Sequence, residues 1–323
     1  MFLTTIVVID VIRRYTWVAI PASFLSLSMV PFASCALVIG SISWVVPRRV
    51  YVSLDNALYT SFMRICSFVF ENVANVSIYI DGDISEITRK QESAIVFSNH
   101  QSDVDWAVIN MLASRQKCGE KILRFMVKYA IHYVPLFGWY IFQHGYVFVR
   151  RFGNFVLSPV EKQLSYLAEL NEPFWLLIFP EGTRYSLAKH SIIIKTREQC
   201  IHKNIEVISF DFLLHNMKRI APNMFEFVSN PKSSLYIHVR RFPIEEISSD
   251  ETVLKKWLIH RFVEKEKYVF YSVLPLSRTF APVSIYLTLL IAPVFSKTFR
   301  RIYFFTILSS PLLILWLKIR SCV

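Results

Sequence analysis

From residue 15 to residue 47 the chain carries no charged side chain. That run exceeds the ~20 residues one helical membrane span needs and falls short of two full spans. Pro21 and Pro31 interrupt it. A tilted, kinked single span and a re-entrant helical pair both fit, because each keeps the backbone hydrogen bonds inside the segment. Arg13-Arg14 and Arg48-Arg49 flank the run on both sides, so loop charge gives no orientation. Asp10, Arg13 and Arg14 interrupt the opening apolar stretch, which argues against a cleaved signal peptide.

The far end repeats the pattern. Residues 279–296 and 302–317 are uncharged, with Lys297, Arg300 and Arg301 between them. Each is near the lower length limit for a span. A short hairpin of two spans is the plain reading, and a monotopic hairpin is the alternative. Hydrophobic residues make up 54% of the 323, and the mean hydropathy is +0.39, both high for a soluble globule. The formal net charge of +12 calls for an anionic partner. No Arg/Lys cluster with interleaved aromatics and no nucleic-acid motif occurs, so the partner is a bilayer surface and not nucleic acid. The five cysteines are odd in number, scattered, and never spaced as CxxC. That argues against a disulfide framework or zinc site, and Cys35 and Cys66 read as apolar packing residues.

Between the hydrophobic ends, strand-like runs recur at 77–80, 95–97, 146–149, 175–179, 207–212 and 235–239. Helical patterns lie among them, notably at 103–113 and 159–170. Alternating strands and helices predict an α/β layer fold. The division is then 1–76 for membrane-embedded and interfacial helices, 77–275 for the layered domain, and 276–323 for a hydrophobic hairpin. Residues 54–76, with Tyr59, Phe62, Phe68 and Phe70, read as a helix lying on the membrane or leading into the globular part.

Two stretches of the layered domain carry chemistry. In the first, Ala94-Ile95-Val96-Phe97 reads as a short buried strand, followed by the polar turn Ser98-Asn99-His100-Gln101-Ser102. Apolar residues then recur at Val104, Ala107, Val108, Met111 and Leu112, one face of an amphipathic helix. On one continuous helix His100 and Asp105 would be about 140° apart. With His100 in the turn and Asp105 in the first helical turn, the carboxylate can reach back to a ring nitrogen. That contact fixes the imidazole tautomer and leaves the other nitrogen to accept a proton. The plainer reading is a capping box, Ser102-x-x-Asp105, beside an idle turn histidine.

The second stretch is Trp175-Leu176-Leu177-Ile178-Phe179, a strand stopped by Pro180 and followed by Glu181-Gly182-Thr183-Arg184. It presents a carboxylate and a guanidinium at a strand end. Arginine's planar fork suits a phosphate or carboxylate, although a plain surface Glu–Arg pair is as good a reading of this turn alone.

Together the stretches resemble the glycerolipid (1-acylglycerol-3-phosphate) acyltransferases. Asn99–Trp106, NHQSDVDW, matches their Asn-His-x4-Asp block, and Phe179–Arg184, FPEGTR, matches their third block. Lys128 with Pro135-Leu136-Phe137-Gly138-Trp139 resembles their Lys…Pro-aromatic-Gly-Trp segment, and Gly145 through Arg151 resembles the second block. Residues 235–271 look most like the epsilon-type lysophosphatidic acid acyltransferases.

The resemblance implies an acyl-CoA-dependent enzyme that acylates the sn-2 hydroxyl of lysophosphatidic acid to phosphatidic acid. It implies His100 as base and Asp105 as its orienting group. Arg151 and Arg184 would hold the acceptor phosphate, with Lys128 as a lesser contributor. Glu181 would hold Arg184 or an acceptor hydroxyl, within a block completed by Gly182 and Thr183. The role of Arg150 stays open. Acyl-CoA would serve as co-substrate, with no other cofactor and no metal. The further partners are a lysophospholipid and the bilayer. The location would be a membrane, that of the endoplasmic reticulum first and a mitochondrial one second. One departure stands out: the family's fourth block, an apolar strand carrying a proline, is not found. The nearest run, residues 206–213, has no proline. A lysocardiolipin or other lysophospholipid acyltransferase, and an inactive membrane scaffold, are the alternatives.

Overall fold

The computed structural model describes residues 2–89, 91–98, 100, 102–150, 157–170, 172–179, 223–229, 234–242, 250, 252–253, 269–271 and 275–321. Helix α1, Phe2–Ile42, runs unbroken through Pro21 and Pro31. Up to Ile42 the uncharged run therefore lies in one helix, about 60 Å long in all, and not in a helical pair. Both prolines are buried. Its first half exposes Ile6, Ile9, Ile12 and Ile20, while Phe32, Ala33 and Ala36 further along are fully buried. A turn with exposed Trp44 and Val45 leads to Pro47, whose fixed φ of −56° starts helix α2, Arg48–Ser67.

α2 leads into the globular part, the second of its two expected forms. It buries Tyr59, Phe62, Met63, Ile65 and Cys66. The Phe32 ring lies 4.6 Å from Phe62 and 4.5 Å from Tyr140, so α1 and α2 share one core. Six π-helical residues, Phe68–Val73, follow. They carry buried Glu71, which Arg115 pairs at 3.0 Å.

Helix α3 is Ile84–Arg89, α4 Asp105–Ala113, α5 Gly138–Gln143, α6 Leu157–Glu169 and α7 Met224–Ser229. The strands are β1 Ser77–Gly82, β2 Ala94–Phe97, β3 Leu123–Lys128, β4 Val147–Val149, β5 Trp175–Ile178, β6 Ser234–Val239 and β7 Val269–Tyr271. Four of them form a parallel sheet in the order β2-β5-β3-β4. The other three form a mixed sheet, β6-β1-β7, with β1 and β6 parallel. The α/β class holds. The expected strand at 207–212 lies outside the described residues.

Three local expectations change. β2 is not buried but forms an edge of its sheet, with Ile95 53% exposed. α4 is enclosed on nearly every side, and beyond Asp105 its inward polar residue, Asn110, donates to Met63 O and Ser67 Oγ, each at 2.9 Å. β3 has no counterpart in the sequence reading because Arg124 breaks its apolar run. Arg124 is nevertheless buried, donating to the carbonyls of Lys121 and Leu123 at 2.8 Å. Buried charge is tolerated where hydrogen bonds replace water.

Helices α8, Leu276–Phe295, and α9, Lys297–Ser321, meet at extended Ser296 and fold back on each other. The Tyr303 hydroxyl donates to Leu289 O at 2.9 Å. Thr306 meets Ser34 of α1 at 2.8 Å, and the Leu136 amide donates to Ser310 Oγ at 2.9 Å. Arg278 of α8 donates to Ser114 O, at the end of α4. Among the described residues three helices, α1, α8 and α9, are long and apolar enough to cross a membrane.

Candidate active site

Strands β2 and β5 run parallel with Phe97 opposite Ile178. The Ser98 amide still donates to Ile178 O at 3.1 Å. The chain therefore leaves both strands side by side at one edge of the sheet. In open parallel sheets that carboxyl-terminal edge is where ligands bind. His100 follows β2, Phe179 follows β5, and their rings stack at 4.4 Å and 24°.

His100 Nδ1 lies 2.8 Å from Asp105 Oδ2. The same oxygen accepts the Ser102 backbone N–H at 3.0 Å. The cap-like bond and the His–Asp contact thus coexist on one carboxylate oxygen. Asp105 opens α4, where the positive end of the helix dipole favours a negative charge. Its side chain is 7% exposed and that of His100 21%. An imidazole that donates Nδ1–H to this carboxylate presents Nε2 as a base. Stacking on Phe179 limits ring rotation.

Lys128 ends β3 and is exposed at the same edge, two strands from β2, or roughly 10 Å at the usual spacing. Arg150 directly follows β4, with its guanidinium 5.0 Å above the Tyr129 ring. The structure thus brings His100 and Asp105 into contact and sets Lys128 on the same edge. Arg151, Glu181, Gly182, Thr183 and Arg184 lie outside the described residues.

The sequence places Phe179 at a strand end and in the FPEGTR block without joining it to His100, and the bond from the Ser102 amide to Asp105 is the one the capping-box reading requires. Two further His–Asp contacts were also invisible, because their partners are far apart in the chain. His144 Nδ1 is 2.5 Å from Asp55 Oδ2, and His238 Nδ1 is 3.2 Å from Asp81 Oδ2. Neither sits in the turn that follows β2. The His144 side chain is fully enclosed. Burial, reinforced by the Arg124 guanidinium, pushes it down to about 4 despite the opposing Asp55 carboxylate. His238 belongs to the other sheet, paired in register with Asp81. A cavity of about 380 Å³ lined by Tyr51, Gln143, Tyr146 and Tyr166 lies where β4 begins and does not include His100.

An acyltransferase family model matches residues 80–201, and an acyltransferase C-terminus model matches 226–271. The 1-acyl-sn-glycerol-3-phosphate acyltransferase epsilon of Mus musculus is 28% identical over 258 residues, covering 70% of each chain. The 1-acyl-sn-glycerol-3-phosphate acyltransferase 2 of Arabidopsis thaliana is 27% identical over 216 residues, 60% of this chain and 55% of that one. Lysocardiolipin acyltransferase 1 of Gallus gallus is 24% identical over 202 residues, 54% of this chain and 53% of that one. The chain thus spans about half the length of the last two relatives. The crystal structure of the 1-acyl-sn-glycerophosphate acyltransferase from Thermotoga maritima gives a looser likeness, with a TM-score of 0.44, 16% identity, and coverage of 78% of this chain and 93% of that one. With two matched segments in order and the motif residues His100 and Asp105 in contact, this chain belongs to the glycerolipid acyltransferase family.

Proposed function

We propose that the protein transfers a fatty acyl group from acyl-CoA to the sn-2 hydroxyl of lysophosphatidic acid at a membrane surface. The observation that carries this reading is the His100–Asp105 contact at 2.8 Å on a strand-end turn of a parallel sheet. A thioester is already activated, so a positioned base suffices and no covalent enzyme intermediate is needed. His100 Nε2 takes the hydroxyl proton as the oxygen attacks the thioester carbonyl. Asp105 stabilises the imidazolium that forms. Collapse of the tetrahedral intermediate breaks the carbon–sulfur bond, and the proton held on His100 passes to the departing CoA thiolate. No cofactor beyond the acyl-CoA co-substrate enters this scheme.

We assign the acceptor phosphate to Arg151 and Arg184, with Lys128 as a lesser contributor. A phosphomonoester near pH 7 carries between one and two negative charges, and guanidinium forks bind it bidentately. The apolar helices α1, α8 and α9 fit a protein held in the bilayer that supplies the acceptor.

The test is acyl transfer by the purified chain in detergent, with one acyl-CoA and a panel of lysophosphatidic acid, lysophosphatidylcholine and lysocardiolipin. Lysophosphatidic acid is expected to be the best acceptor. A preference for lysocardiolipin would move the protein to the specificity named for its Gallus gallus relative. No transfer to any acceptor would favour the inactive scaffold.

A further inference from the structure

Helix α7 touches both the motif turn and the first membrane-type helix. Its own start is a reciprocal cap: the Glu226 amide donates to Asn223 Oδ1 at 2.9 Å, and the Asn223 amide donates to Glu226 Oε2 at 3.2 Å. This leaves the Met224 amide pointing outward, and it donates to Asp103 Oδ1 at 3.1 Å. The same oxygen accepts the Ser102 hydroxyl at 3.2 Å. Ser102 in turn gives its backbone N–H to the Asp105 oxygen that meets His100. A continuous hydrogen-bonded path therefore runs from the α7 backbone through Asp103 and Ser102 to the carboxylate that orients the imidazole.

The other faces of α7 are apolar. Phe225 lies 5.7 Å from the Tyr15 ring of α1. Phe227 is fully buried, 5.8 Å from Phe70, and Phe70 lies 5.8 Å from Trp106, next to Asp105 in the motif. Two routes, one polar and one aromatic, thus join α7 to the start of α4. A third contact joins it to α1.

We propose that Asp103 is a positioning residue that clamps the motif turn to α7, and through the Phe225–Tyr15 contact to α1, so that α1 helps set the His100–Asp105 geometry. The idea rests on the acyl-transfer reading for its kinetic consequence but not for its structural one. Asp103 does not touch the reacting atoms. Its loss loosens Ser102 and hence Asp105, which lowers turnover without removing a binding contact.

The test uses the full chain in detergent with three single variants and the double variant Asp103→Ala with Phe225→Ala. Asp103→Ala removes the acceptor, Asp103→Asn keeps an oxygen for the Met224 amide, and Phe225→Ala cuts the link to α1. Hydrogen exchange over residues 223–229 reads the clamp directly, without any substrate. Asp103→Ala is expected to speed that exchange about tenfold or more, and Asp103→Asn to leave it within threefold of wild type. In the transfer assay Asp103→Ala should lower kcat about ten- to a hundredfold, with KM for acyl-CoA and for the lyso-lipid changed less than twofold, because a misplaced catalytic group slows chemistry. Asp103→Asn should restore most of it. Phe225→Ala should lower kcat in the same sense, and the double variant should fall short of the product of the two effects, as for residues in one network. Unchanged exchange in Asp103→Ala would overturn the clamp whether or not the chain transfers acyl groups. Faster exchange with unchanged kcat would overturn the positioning role, as would fully multiplicative losses in the double variant. If wild type shows no transfer, the exchange arm still decides the clamp, and the failure belongs to the acyl-transfer reading.

Discussion

Asp105→Asn separates the two duties of one carboxylate oxygen. In wild type, Asp105 Oδ2 accepts from His100 Nδ1 at 2.8 Å and from the Ser102 amide at 3.0 Å. An asparagine keeps an oxygen for the amide and loses the charge. With charge centres about 4 Å apart and an effective dielectric near 20, the lost attraction for an imidazolium is about 4 kcal/mol. The His100 side chain is 21% exposed, so solvent screens part of that. A barrier rise of about 2–4 kcal/mol remains, equivalent to a 30- to 1,000-fold loss of kcat. Loss of the cap alone would cost no more than about 1 kcal/mol of stability and nothing in turnover. The assay is steady-state release of CoA thiol with lysophosphatidic acid, paired with thermal unfolding of the same preparation. A kcat within threefold of wild type, with normal folding, would refute the orienting role and leave Asp105 as a capping residue.

Other outcomes follow from the same structure. Arg115→Ala removes the guanidinium that pairs the fully buried Glu71 carboxylate at 3.0 Å, so thermal unfolding should report a loss of about 3–5 kcal/mol. His144, held down to about 4 chiefly by burial, stays neutral in the fold while an unfolded chain would protonate near 6.5. The unfolded state therefore binds more protons between those values, and stability should fall as pH drops from 6.5 towards 4. His144→Asn should flatten that part of a melting-temperature profile, and an unchanged slope would contradict the assignment. Arg151→Ala should raise KM for lysophosphatidic acid more than for lysophosphatidylcholine or acyl-CoA. Equal proportional losses on all acceptors would contradict the phosphate assignment.

Much of this molecule could be read from its sequence. The uncharged run at 15–47 required helix, and periodicity placed β5, β6, α4 and α6 within a few residues. The His100–Asp105 contact was legible because the partners are five positions apart across one strand-to-helix junction, where local spacing controls geometry. The parts that were not legible depend on distant partners. β3 was hidden by Arg124, a charge that only its buried hydrogen bonds make acceptable in a strand. The His144–Asp55 pair spans 89 positions and leaves no local pattern. The same holds for Phe179 against His100, since only the parallel register of β2 and β5 brings them together.

The base assignment itself is tested most directly by His100→Ala in the purified full chain, assayed for phosphatidic acid formed from acyl-CoA and lysophosphatidic acid. Partly exposed at the sheet edge, the imidazole is a small part of the core, so the variant should fold and melt like wild type. Its kcat should drop about 10²- to 10⁴-fold, the usual contribution of a positioned base. A folded His100→Ala protein that forms phosphatidic acid at close to the wild-type rate would contradict the mechanism.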